Sequence, residues 1–155
     1  MSPELGRLVD REELRDLVHA YCHHVDTRDA AAAAGLFTED AVFVTSTGRN
    51  GTSVGRAAIA RRLERLLATF TATSHHVSNT RMEFLDADSV RMESYLYAWH
   101  RFPSDRPDGF LWARYVDRAV RTPAGWRLRE RTLRVVGEVD FPFGWVPYGT
   151  DQRSA

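Results

Sequence analysis

The chain has no lysine; all 21 of its basic residues are arginine. Schiff-base chemistry is therefore excluded. Cys22 is the single cysteine, so no internal disulfide can form and no cysteine cluster is available for zinc. Neither charge is in excess, since 21 acidic residues balance the arginines. No basic field is left to attract nucleic acid or an anionic membrane. No apolar run approaches the length of roughly 20 residues that crosses a bilayer, and the N-terminus carries no apolar signal core. A cytoplasmic location is the expectation. What is present is ordinary for a soluble protein: 155 residues, 43% apolar and 27% charged. That is one domain, residues 1–155, with enough chain to enclose a core.

After a lead-in over residues 1–9, Asp10-Arg11-Glu12-Glu13 reads as a capping box. Leu14, Leu17, Val18, Tyr21 and Val25 then recur at helical spacing, predicting a helix over 11–27. Asp29 is placed to cap a second helix through the Ala30–Ala34 run to Phe37. Residues 41–47 alternate as a short strand with Phe43 and Thr45 on one face. A third helix is expected over 55–70. The period then changes to two, giving strands at 73–86, 89–102, 109–122 and 126–136 joined mostly by short turns, an antiparallel meander. An aromatic, proline-rich tail follows from 137 to 155. Helices followed by long strands make an α+β protein. A sheet curved around three helices would enclose a cavity, a preferred ligand site.

Ionisable groups on apolar stripes mark the candidate site. His75 and His76 are adjacent on one strand, so one of them faces inward. His75 shares a face with Val77 and Asn79. His76 shares one with Ser78 and Thr80, and by strict alternation also with Met82 and Phe84, so a bulge could reverse the choice. His100 ends the apolar stripe that starts at Val90, and a hairpin at 86–88 brings residues near 75 and 100 roughly opposite each other. Tyr21 lies on the inward helix face. Asp26, at the unfavourable C-terminal end of that helix, needs a compensating partner, and a histidine proton is the obvious one. An Asp–His pair fixes the tautomer of the imidazole and stabilises the imidazolium, making it a better base. A buried histidine is more often a hydrogen-bonded core residue than a catalyst, so the case rests on the three groups together. No nucleophile motif is present, so elimination or isomerisation suits these groups better than acyl transfer. His19 and His23, four residues apart, lack a third metal ligand, and a solvated face is the reading for them. Arg127, Arg129 and Arg131 alternate, yet Leu128 and Leu133 have opposite parity. A bulge must lie between them, leaving the direction of Arg131 open.

The ordered pieces Tyr21-x4-Asp26-x2-Asp29, Leu36-Phe37-Thr38-Glu39-Asp40-Ala41, Gly55-Arg56-x2-Ile59, His75-His76-x2-Asn79, Arg114-Tyr115-x-Asp117-Arg118 and Gly125-Trp126-Arg127-Leu128 together resemble the SnoaL-like family of the nuclear transport factor 2-like superfamily. The resemblance spans about residues 8–140. It implies a cystatin-like cone: three helices packed in a strongly curved, mainly antiparallel sheet enclosing a pocket. The spacing of Asp26, His75 and His100 is similar to that of the dyad and second histidine of scytalone dehydratase. Tyr21 and Arg131 are similar to residues of bile acid 7α-dehydratase. Thr45 departs from the pattern, standing where scytalone dehydratase has a tyrosine and ketosteroid isomerase its aspartate base. The resemblance implies a cofactor-free, metal-free dehydratase acting on a hydroxylated cyclic, polyketide-like or steroid-like small molecule. Its catalytic residues would be Asp26, His75, His100 (as general acid), Tyr21 and Arg131. Phe43, Thr45, Asn79, Leu96, Phe110 and Trp112 would line the pocket. A cyclase or isomerase and a non-catalytic binding protein are the alternatives, and a homo-oligomer, dimer or trimer, is expected.

Overall fold

The computed structural model describes residues 2–48 and 50–149. The last part of the expected tail, 150–155, lies outside them. Three helices and seven strands follow in the order α1 (Pro3–Asp26), α2 (Ala30–Gly35), β1 (Phe37–Val44), β2 (Thr52–Val54), α3 (Arg56–Ala68), β3 (Ala72–Phe84), β4 (Ser89–Arg101), β5 (Gly109–Thr122), β6 (Gly125–Val139) and β7 (Val146–Pro147). The four long strands form the expected antiparallel meander. The sheet order is β2-β1-β6-β5-β4-β3, with β7 also on β6. β1 joins β6 in parallel, a pairing that local alternation cannot reveal. The helices lie against the curved sheet, which does not close. The fold is the α+β cone.

Helix α1 begins earlier than the capping box at Asp10 predicts. Ser2 accepts from the Leu5 N–H at 3.2 Å, with Pro3 opening the first turn, a start suited to proline because its missing N–H would be orphaned there anyway. Asp10 instead accepts from Arg121 Nη2 (2.7 Å) and Trp126 Nε1 (3.3 Å), tying the helix to the β5–β6 hairpin. Asp29 does cap α2, accepting from the Ala32 N–H at 2.9 Å. That helix, expected to run to Phe37, stops at Gly35, and Phe37 already opens β1.

Two bulges decide which side chains face inward. In β3, Asn79 and Thr80 together oppose Ser94, and Asn79 takes a left-handed backbone with φ 49°. The inward set is therefore Thr73, His75 and Val77 before the bulge, and Thr80, Met82 and Phe84 after it. This resolves the apparent conflict between His75 and Met82. In β6 the extra residue is Arg129, which brings Leu128, Arg131 and Leu133 all to the inner face. The bulge required by the leucine parity is present, and Arg131 points in.

Arg131 is fully buried and pairs across the ladder with Asp117 through two hydrogen bonds, Nε–Oδ1 at 2.8 Å and Nη2–Oδ2 at 2.7 Å. Its guanidinium carbon lies 4.3 Å from the ring centre of Tyr21 and 4.0 Å from that of Tyr115. Burial opposes the charge, but Asp117 outweighs it and holds the guanidinium above its ordinary value. Removing one partner would leave an uncompensated charge in the core. Asp117→Asn is expected to destabilise the fold by about 3–5 kcal/mol in urea unfolding at pH 7, whereas Asp117→Leu with Arg131→Met should be close to neutral. An unchanged midpoint in Asp117→Asn would show that the pair contributes nothing.

Candidate active site

Asp26, the last residue of α1, meets the first turn of chain after Ala72 on the edge strand β3. Its Oδ1 accepts from His75 Nδ1 at 2.6 Å and from the Thr73 hydroxyl at 2.8 Å, and its Oδ2 accepts from the His75 N–H at 2.8 Å. Burial works to raise the Asp26 pKa, but the His75 and Thr73 hydrogen bonds outweigh it and the net shift is downward. The carboxylate is thus ionised at neutral pH. It holds the proton of neutral His75 on Nδ1, leaving Nε2 with the lone pair.

His75 lines an apolar cavity of about 70 Å³ between the helices and the sheet. Tyr21, Phe43, Thr45, Leu96 and His100 line it as well. His100 pairs with Thr73 rather than His75, two residues from the expected register. The two rings still meet edge to face, centroids 5.2 Å apart at 84°. His100 also packs on Phe70 (4.6 Å) and Phe141 (4.5 Å), and its Nδ1 is buried without a hydrogen-bond partner. Burial pushes its pKa down to about 3. His100 is a neutral imidazole at pH 7. It can hydrogen-bond, with one ring nitrogen as N–H donor and the other as acceptor.

Three of the expected lining residues fall outside the cavity. Asn79 is exposed in the β3 bulge. Phe110 and Trp112 sit on the outer sheet face with Tyr97, because the inner set of β5 is Leu111, Ala113, Tyr115 and Asp117. Trp112 is 45% exposed. His76 also faces out, its Nε2 3.0 Å from Ser74 Oγ. Arg131 lies behind Tyr21 and Tyr115 rather than on the cavity surface. Sequence reasoning missed Thr73, although it shares the face of His75. It also missed Tyr115 and the tail rings of Phe141 and Trp145, which reach the cavity by tertiary packing alone. Among the described residues, no three His, Cys, Asp or Glu side chains are grouped to hold a metal. No helix is long and apolar enough to cross a membrane.

A curved sheet with an Asp–His pair at its edge, cupped around a small apolar cavity, fits the SnoaL-like domain model, which matches residues 6–132. The chain belongs to the SnoaL-like family of the nuclear transport factor 2-like superfamily. Among solved structures it is similar to a "Putative Scytalone Dehydratase" of Novosphingobium aromaticivorans, with 29% identity, TM-score 0.87, and coverage of 93% of this chain and 96% of that one. A "putative aromatic ring hydroxylase" of the same species is 28% identical, TM-score 0.78, covering 85% and 93%. Hexachlorocyclohexane dehydrochlorinase LinA-type3 of Novosphingobium barchaimii shares the fold at 22% identity, TM-score 0.79, covering 88% and 92%. No curated protein matches the sequence.

The pKa of His100 gives the protein an acid-sensitive core. Between pH 6.5 and about 3 the unfolded chain takes up a proton at this residue and the folded chain does not, so stability falls as pH falls through that window. Going from pH 7 to pH 5 should remove about 2 kcal/mol through this group. His100→Phe, which keeps an aromatic ring against Phe70 and Phe141, should show that much less loss in denaturant titrations at the two pH values. Identical losses in both proteins would contradict a neutral, buried His100.

Proposed function

We propose that the protein is a cofactor-independent lyase, a dehydratase of a hydroxylated cyclic, polyketide-like or steroid-like small molecule, with His75 as base and Asp26 as its orienting partner. The observation that carries this reading is the 2.6 Å contact between Asp26 Oδ1 and His75 Nδ1 at the wall of an apolar cavity. The similarity to the "Putative Scytalone Dehydratase" supports it.

In this mechanism His75 Nε2 takes a proton from the carbon next to a carbonyl. The electron pair passes to the carbonyl oxygen as an enolate; the C=O bond then re-forms, the new C=C bond appears and the β C–O bond breaks. The departing hydroxide takes the proton back from the His75 imidazolium and leaves as water. Asp26 stabilises the imidazolium in between. One atom thus serves as base and acid, so proton and hydroxyl leave from the same face. Tyr21, whose hydroxyl burial keeps protonated, donates to the enolate oxygen, with the Arg131 charge against its ring drawing the phenol toward the donor role. Neutral His100 hydrogen-bonds the leaving hydroxyl. A cyclase or isomerase using the same Asp26–His75 base is the second reading. A homo-oligomer belongs to the same reading; the exposed Tyr97 and Trp112 on the outer sheet face suit a subunit contact.

The test is incubation with a panel of cyclic β-hydroxy ketones, following loss of water by mass spectrometry. His75→Ala and Asp26→Asn should each lower turnover by about 10²–10⁴-fold with the circular dichroism spectrum unchanged. Full activity in either variant would sink the mechanism, and an isomeric product of unchanged mass would favour the cyclase.

A further inference from the structure

One charged side chain beside the cavity has no part in the chemistry above. Arg62 lies on α3, next to Leu63 and one turn from Leu66, both of which line the cavity. Its Nη2 donates to Thr45 Oγ1 at 2.8 Å, and its Nε is buried without a hydrogen-bond partner. Among the described residues no carboxylate pairs with it. Three other sequestered arginines are matched in charge or by carbonyls: Arg131 by Asp117, Arg56 by Glu39 and the Phe37 carbonyl, Arg28 by the carbonyls of Leu67 and Phe70. Arg7, part-buried with an unpartnered Nη1, lies over the Phe84 ring, away from the cavity lining. Burial, and then the neighbouring charge of Arg65, lower the pKa of Arg62. A half-desolvated cation without a counter-charge is costly unless something else meets it.

Thr45 is the group between this cation and the cavity. It is 3% exposed and lines the wall. Its oxygen accepts from Arg62, while its own proton has only the Gly51 carbonyl at 3.4 Å, which already accepts the Thr45 N–H at 2.9 Å. The hydroxyl is thus free to turn its proton into the cavity, and the guanidinium makes it a stronger donor. The loop behind it is tightly closed: a Cβ at Gly51 would sit 1.8 Å from the Ser46 carbonyl oxygen. Thr45 follows β1 and His75 is on β3, with β6, β5 and β4 between them in the sheet. The ionised Asp26 therefore serves one wall and the unmatched Arg62 another.

We infer that Thr45 and Arg62 form a carboxylate-binding subsite, so that the substrate is a hydroxylated cyclic acid held by its carboxylate across the cavity from His75. This rests on the cavity being the substrate site, as proposed above.

The test needs no turnover. Benzoate and nitrobenzene have the same shape and differ in charge. Each is titrated into the ¹⁵N-labelled full chain, with affinities read from cavity resonances and from the Arg62 Nε–H, which is assigned by its loss in Arg62→Gln. Benzoate should bind about tenfold more tightly and alone move the Nε–H signal. Arg62→Gln and Thr45→Val should each abolish the preference. Equal affinities in the unaltered protein, or a preference that survives both variants, would overturn the subsite. So would a preference lost in His75→Ala and kept in Arg62→Gln, because the anion would then sit on the imidazole. Failure of both probes to perturb the cavity would overturn the subsite together with the reading of the cavity as a substrate site.

Discussion

A single carboxylate holds the site in register. Asp26 ends α1 and receives three hydrogen bonds from β3, two of them from His75 and one from Thr73. β3 is the last strand of the sheet and has only β4 beside it, so its free edge would otherwise be open to fraying or to pairing with another chain. The carboxylate closes part of that edge with a helix and aims the imidazole in the same act. A carboxylate at a helix C-terminus is electrostatically unfavourable. The three donors, one of them on a ring that can become cationic, supply what the helix end does not.

Behind this pair the cavity is apolar except at a few points, and each polar point has a second element behind it. Tyr21 has Arg131, which in turn has Asp117. Thr45 has Arg62, and Thr73 has Asp26. Buried polar groups persist only when satisfied, so such a chain of partners is what keeps the wall fixed. The Nε of Arg62 is one exception and His100 another. Its Nδ1 has no protein partner and its neighbours are rings, which keeps it neutral and leaves its hydrogen-bonding capacity for whatever enters.

Much of this was legible in the chain. Helical spacing gave the inward face of α1 from Leu14 to Val25, and period-two alternation gave the four-strand meander to within a few residues. A carboxylate at a helix end that needed a donor pointed to a histidine partner for Asp26, and the family resemblance, not the helix end, favoured His75 over His76. The leucine parity in β6 required a bulge, and that bulge turns Arg131 inward. What alternation could not show is where a second bulge falls. Asn79 was assigned to the pocket because the period was carried through residue 79, where the backbone in fact turns left-handed. Phe110 and Trp112 were misplaced because both faces of β5 carry large apolar residues, so hydrophobicity does not separate inside from outside. The parallel β1–β6 pairing and the return of Phe141 to the cavity join residues far apart in sequence, and no local pattern encodes them. The start of α1 at Ser2 was written in Ser2-Pro3-Glu4 but was outweighed by the stronger-looking box at Asp10.

The sheet order has one more consequence. The Asp26–His75 pair is built from α1 and β3, while the wall carrying Thr45 is built from β1, the turn before β2, and α3. Three strands separate them. A mutation in one wall therefore need not disturb the hydrogen bonds of the other, and natural variation or laboratory evolution can change what the cavity admits while leaving the Asp26–His75 pair in place. The same scaffold can in this way be reassigned from one compound to the next without rebuilding its chemistry.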